Sequence, residues 1–252
     1  LFGGGDATQH YLGWLFFRNG SWAWPPGLNL SYGIGLNNSI VFTDSIPLLA
    51  IPLKALSTIL PSTFQYLGLW ALLCFILQAW FSWKLVNLFT QDLWICSLCT
   101  GLFIFSVPML SLFPENPALG SLFLILAALY LSLKKNDKYP VWPWFWLLIS
   151  ASLIHFYLFV IVGAIWTANL MDRIFIGKSI SLPRALGVIF LYIPSVLLAT
   201  YLAGYFTISS IGAFGYGMFK INLLGQEIRN AYLSRRDVYE TQTQVLLSAQ
   251  VQ

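Results

Sequence analysis

Residues 141–171 read VWPWFWLLISASLIHFYLFVIVGAIWTANLM, and how this stretch meets an apolar layer decides the fold. A straight membrane helix needs about 20 mostly apolar residues, with a range of roughly 17–25. This run is too long for one straight span. It admits one tilted helix or two short ones. The flanking cations favour the second. Lys134, Lys135 and Lys138 precede the run, and Arg173, Lys178 and Arg184 stand at or beyond its end. Lys and Arg accumulate on the cytoplasmic side of membrane proteins, which puts both clusters on one side. The run then enters and returns, turning near Ser150–Tyr157.

Working outward, four more segments are apolar enough to span: 65–86, 93–113, 117–133 and 182–206. Counted back from the lysines, 117–133 descends from the outer side, 93–113 rises and 65–86 descends. The segment 1–62 falls outside, and so does everything after 206. Within it, 6–18 mixes Asp6, Gln9, His10 and Arg18 with apolar and aromatic residues, a pattern for an interfacial helix. Residues 39–58 carry Asp44, Pro47, Pro52 and Lys54. Two prolines interrupt the backbone hydrogen bonding that a lipid-exposed helix requires, so this helix lies at the interface or is partly sunk into the protein. Residues 19–38 read as an ordered loop with Trp22, Trp24 and Tyr32 at headgroup level.

The expected fold is therefore all-α: a polytopic transmembrane helix bundle over 63–206, a long outer loop over 1–62 with two interfacial helices, and an outer segment over 207–252. The chain opens at Leu1 inside a motif, so the reading expects a fragment that a further membrane helix precedes. The polar residues after Gly225 suit an extramembrane helix or a truncated end.

Composition agrees with a lipid-facing protein. Of 252 residues, 58% are hydrophobic and 9% charged, against about 25% charged in an ordinary soluble domain. A formal charge of +4, scattered along the chain, is no nucleic-acid footprint. Cys74, Cys96 and Cys99 lie in apolar runs, and no second ligand pair accompanies Cys96-x-x-Cys99.

The polar exceptions are the candidate site. Asp6 follows three glycines and opens a helix, where a carboxylate caps the N-terminus or serves as a base or metal ligand. His10 is four residues on, hence on the same face. Asp44 sits in an apolar segment, where an ionised group must be paired or face a polar cavity. His155 poses the same question inside 141–171. Arg18 ends the 6–18 helix, where it stabilises the C-terminal dipole or binds a phosphate, and Lys54 is the other candidate to hold a phosphate. Glu115 caps the outer end of a span, and Gly212-x-x-Gly215-Tyr216-Gly217 leads to Asn222. Under the hairpin topology these groups converge on the outer side. As substrate-binding residues the reading takes His10, Arg18, Asp44, Lys54, Glu115, His155, Tyr216 and Asn222.

Gly4-Gly5-Asp6-Ala7-Thr8-Gln9-His10-Tyr11-Leu12-Gly13-Trp14, Ser39-Ile40-Val41-Phe42-Thr43-Asp44-Ser45-Ile46-Pro47 and Phe64-Gln65-Tyr66-Leu67-Gly68-Leu69-Trp70 resemble a bacterial family of GT-C-like membrane proteins. The order of elements resembles the GT-C superfamily at large, membrane glycosyltransferases that use lipid-phosphate-linked sugars. That resemblance implies a polyprenyl-phosphate-linked sugar as donor, the bilayer as partner, and the bacterial inner membrane as location. It also implies Asp6 as the catalytic carboxylate, acting as a base or in company with a divalent cation. A non-catalytic transporter, flippase-like protein or assembly partner is the alternative.

Overall fold

The structure, a computed structural model, describes residues 6–32, 38–135 and 138–207; of Asp6 and Pro114 it describes the backbone alone. Among these residues the fold is all-helical, with one isolated antiparallel bridge between Leu28 and Ser39. Tyr216 and Asn222 lie outside the described residues.

Helix α1 (Asp6–Asn19) buries His10, Gly13, Trp14, Phe17 and Arg18. Spacings of three and four make these one stripe, so the buried face includes the helix's own His and Arg. A 3-10 turn (Ile40–Thr43) and α2 (Pro47–Ala55) pack beneath it. Pro47 starts α2 where its missing N–H costs nothing. Together these form a cap over one end of a helix bundle.

The bundle holds α3 (Leu67–Val86), α4 (Leu93–Ile104), α5 (Val107–Glu115), α6 (Phe123–Leu133), α7 (Val141–Ile154), α8 (Phe156–Met171) and α9 (Leu182–Ala203). A π-helical turn (Asp172–Ile176) extends α8. Four stretches are long and apolar enough to cross a membrane: Leu67–Val86, Leu93–Phe113, Phe156–Ile176 and Leu182–Ala203. Only 17% of the most apolar window of the last is buried inside the protein. Phe190 is 81% exposed there and Trp94 on α4 is 84% exposed. Rings so bare are met by lipid rather than water, and the chain is an integral membrane protein.

The run 141–171 is a hairpin. His155 is its one extended residue, at φ −158° and ψ 131°, between α7 and α8. The two helices lie side by side: the Trp166 indole N–H donates to the Tyr139 hydroxyl at 2.8 Å, and the Arg173 guanidinium lies over the Tyr139 ring. Both open ends thus sit together at the lysine end, with His155 at the tip. The arms are unequal. Phe156–Ile176 is 21 residues, about 31 Å at 1.5 Å per residue, and matches a ~30 Å core. Helix α7, with 14 residues, spans only about 21 Å.

Two spans differ from expectation. Helix 93–113 breaks between α4 and α5, where Ser106 is extended and Pro108 stands at the second position of the new helix. In 117–133 the helix begins only at Phe123 and has 11 residues. Asn116 to Leu122 are instead wound in turns, and the Trp70 indole N–H from α3 donates to the Pro117 carbonyl and the Ser121 hydroxyl there.

Glycines join cap to bundle. Gly204 ends α9 in the left-handed region at φ +87°, a conformation that favours glycine. Its neighbour in space is Gly27, whose N–H donates to the Leu202 carbonyl at 2.9 Å. The Ser39 hydroxyl donates to the carbonyls of Gly27 and Ala203. The end of α9 is thereby tied to the same layer as α1.

Candidate functional site

The site lies where the cap meets the hairpin tip. The 3-10 turn ends at Asp44, held at φ 48° and ψ 29°, with its N–H on the Ile40 and Val41 carbonyls. Asp tolerates this left-handed conformation better than most residues. Two positions on, Ile46 also has positive φ, at 51°. A β-branched residue there is strained, which the surrounding packing must hold in place. Part of that packing is Gly13. A Cβ on Gly13 would overlap the Thr43 side chain, so α1 is pressed against the turn. Tyr66 adds a pin by donating its hydroxyl to the Ser45 carbonyl.

Across from Asp44 stands His155, with Nε2 3.8 Å from Oδ1. The histidine's tautomer follows from its second role. Its Nδ1 accepts the Tyr157 N–H at 3.2 Å and so caps α8. Nδ1 is then bare, and in the neutral ring Nε2 carries the proton and faces the carboxylate. Burial holds His155 below its ordinary pKa of 6.5; Asp44 works against that shift, and nearby His10 adds to it. The Asn116 amide reaches Oδ2 of Asp44 at 3.5 Å. Asp44 also disfavours ionisation of Tyr205, whose hydroxyl, already pushed up by burial, donates to the Ser152 carbonyl at 3.1 Å.

His10 adopts the other tautomer. Its Nδ1–H donates to the Thr43 carbonyl at 2.7 Å, one residue from Asp44, and its Nε2 is buried without a partner among the described residues. Four residues before it, the backbone of Asp6 stands about one turn, ~5.4 Å, along α1. Glu115 precedes Asn116 at the end of α5 and is exposed. The structure thus gathers His10, Asp44, Glu115, His155 and the start of α1 at one end of the bundle.

Arg18 and Lys54 do not join them. Arg18 is buried at the far end of α1 and donates to the carbonyls of Ser57, Leu60, Ser62 and Phe64, the closest at 2.9 Å. The Lys54 ammonium lies over the Phe17 and Trp22 rings at 4.2 and 4.7 Å and donates to the Ser21 carbonyl. Burial pulls its pKa below the ordinary value. Both cations hold the cap together. Among the described residues no three His, Cys, Asp or Glu side chains form a metal-holding group. Asp6, the candidate for a divalent cation, is described by its backbone only.

Residues 1–231 match the family described as a domain of unknown function, DUF6311. The chain belongs to the DUF6311 family. No curated protein and no solved structure matches it. In this DUF6311 chain every site residue named above lies inside the matched region, as do Tyr216 and Asn222.

Sequence reasoning passed over two residues of this candidate site, Asn116 and Tyr205. Asn116 stands between Glu115 and Pro117, a position that reads as a plain turn. Tyr205 follows Gly204, and a glycine just past an apolar helix was the available signal for a fixed turn there. It also passed over a groove. Between α8 and α9 lies an apolar cavity of ≈ 550 Å³, lined along α8 by Phe159, Gly163 and Thr167 and along α9 by Val196 and Thr200. It closes at Phe156 and Tyr205, beside the Asp44–His155 pair.

Proposed function

We propose that this protein is a membrane glycosyltransferase of the GT-C type, moving a sugar from a polyprenyl-phosphate carrier to an acceptor. The observation that supports it best is the α8–α9 groove, whose inner wall is apolar and whose lining includes Phe156, next in sequence to His155, and Tyr205, which feels the charge of Asp44. A lipid-borne substrate needs both: a channel for its chain inside the bilayer and polar groups where the chain stops.

The chain lies between α8 and α9, and the sugar phosphate projects past Tyr205. The acceptor hydroxyl sits at Asp44. Because His155 spends Nδ1 on capping α8, the carboxylate is the proton acceptor, and the Nε2–H of His155 and the Asn116 amide hold it in position. The acceptor O–H gives its proton to Asp44 while its oxygen bonds to the anomeric carbon. The carbon–oxygen bond to phosphate breaks, and the electron pair leaves on the phosphate. The 3.8 Å gap between Nε2 and Oδ1 closes when substrate arrives, as catalytic contacts in empty sites commonly do. Asp6 keeps the role the family resemblance implies, a carboxylate acting alone or with a divalent cation.

Orientation follows from charge. Lys84, Lys134, Lys135, Lys178 and Arg184 all belong to the end opposite the site, so the positive-inside rule makes that end cytoplasmic. The reaction then takes place on the outer face of a bacterial inner membrane. The test is release of polyprenyl phosphate from a radiolabelled polyprenyl-phosphate sugar by the full protein in nanodiscs, with a membrane extract supplying acceptors. Release with label appearing in the acceptor supports the reading. Label that only crosses the bilayer, still on its carrier, supports a flippase-like transporter instead, a reading the α4–α5 break favours.

A further inference from the structure

At the opposite end of the bundle two lysines share one ring. The Lys84 ammonium lies 5.6 Å from the Tyr130 ring centroid, and the Lys134 ammonium 5.5 Å from the same point. Lys84 also lies 4.5 Å from the Trp80 ring. Ring faces attract cations, but each ammonium here repels the other. Among the described residues neither makes an ion pair with a carboxylate. The nearest acid in sequence to Lys84, Asp92, is engaged in capping α4 through the Trp94 and Ile95 N–H groups.

Trp80 connects this charge to a second feature. It forms a wall of an apolar groove of ≈ 500 Å³ between α3 and α4, together with Ile76, Leu77, Ala79, Trp83 and Thr100. The Thr100 hydroxyl is buried without a partner there. Leu67–Val86 and Leu93–Phe113, the stretches that hold α3 and α4, are long and apolar enough to cross the membrane, so the groove is filled from the lipid phase. Two positive charges with no carboxylate partner among the described residues stand at the groove's end, at the depth where the helices leave the apolar layer.

We propose that this corner is a binding site for an anionic phospholipid, with its phosphate between Lys84 and Lys134 and one acyl chain along Trp80. The inference stands apart from the transferase reading and does not rest on it. A zwitterionic phospholipid fits the groove equally but brings a quaternary ammonium towards the lysines. Free phosphate fits the lysines but leaves the groove unfilled. An anionic lipid satisfies both halves, and two lysines near a membrane surface favour it on the order of thirtyfold.

Native mass spectrometry of the full protein, titrated with dioleoylphosphatidylglycerol or dioleoylphosphatidylcholine in micelles, tests this. Wild type is expected to retain the anionic lipid in preference by roughly thirtyfold. The double variant Lys84→Gln, Lys134→Gln is expected to bind the two lipids alike, while Lys178→Gln, a cation of the same end outside the groove, keeps the preference. Ala79→Trp, which fills the groove, is expected to weaken both lipids. Quenching by an acyl-brominated phosphatidylglycerol is expected to be smaller in Trp80→Phe than in wild type. An undiminished preference in the double variant overturns the proposal, and so does displacement of the lipid by inorganic phosphate alone.

Discussion

Gly27 and Ala203 are in backbone contact, although 176 positions separate them, and a Cβ on Gly27 would overlap the Ala203 carbonyl. This contact fixes where α9 ends relative to the loop that follows α1. It therefore fixes Tyr205 beside Asp44, since Gly204 and Tyr205 follow at once. Gly27→Ala is expected to destabilise the protein by about 1–3 kcal/mol, toward the upper end because backbone cannot swing aside. Thermal unfolding in detergent measures it. An unchanged midpoint would show that the loop does not anchor α9.

Arg18 offers a second test, since four backbone carbonyls receive its guanidinium. Replacing it by Met leaves those carbonyls short of a donor, a loss of about 3 kcal/mol for charged hydrogen bonds. Arg18→Lys is expected to restore little, because an ammonium lacks the planar fork. In the variant that remains folded, KM for the donor is expected to stay at the wild-type value. A raised KM with normal stability would return Arg18 to phosphate binding.

The state of His155 sets a pH dependence. Its pKa in the folded protein lies below the ordinary 6.5, with burial the main cause. Below 6.5 the unfolded chain therefore takes up a proton that the folded protein refuses. The stability tied to neutral His155 is complete above 6.5 and is lost as pH falls from there toward the folded value. His155→Asn keeps a side-chain acceptor for the α8 cap and removes the titration. Its unfolding midpoint is expected to fall less between pH 6.5 and pH 5 than that of wild type. Equal slopes would place the titrating group elsewhere.

Gly163 probes the groove without disturbing the site. A Cβ there meets nothing within 4 Å, and Gly163 lines the α8–α9 cavity. Gly163→Leu is expected to fold at least as well as wild type, since Gly within a helix costs up to about 1 kcal/mol. The added side chain displaces about two methylenes of a bound chain, at ~0.8 kcal/mol each, and raises KM for a full-length polyprenyl donor about tenfold. A short-chain donor is expected to show no change. If both donors respond alike, the chain does not lie in this groove.

The hairpin was legible because lysines mark both of its ends, and its turning point lies within the expected window at His155. The spans were legible where apolar length alone decides, as in α3 and α9. Where turns compete with length, as at Pro108 and at Pro117 to Gly120, hydropathy overstated the helices, and the prolines were the better guide. At the site, Asp44 and His155 stood out because ionisable groups in apolar runs are costly unless paired. Their pairing with each other was hidden, since 111 positions separate them. For Arg18 and Lys54 the sequence left two roles open for a physical reason. A cation in an outer loop looks the same in sequence whether it binds a phosphate or gathers the carbonyls of its own chain.

Asp44 is the proposed proton acceptor in sugar transfer, and Asp44→Asn probes that role with the least change in shape. The measurement is the single-turnover rate of transfer from a polyprenyl-phosphate sugar by the full protein in nanodiscs, with unfolding midpoints recorded alongside. A positioned base contributes about 10²–10⁴-fold, so a loss of that size with an unchanged midpoint is the expected result. Transfer at the wild-type rate by a folded Asp44→Asn protein would contradict the account.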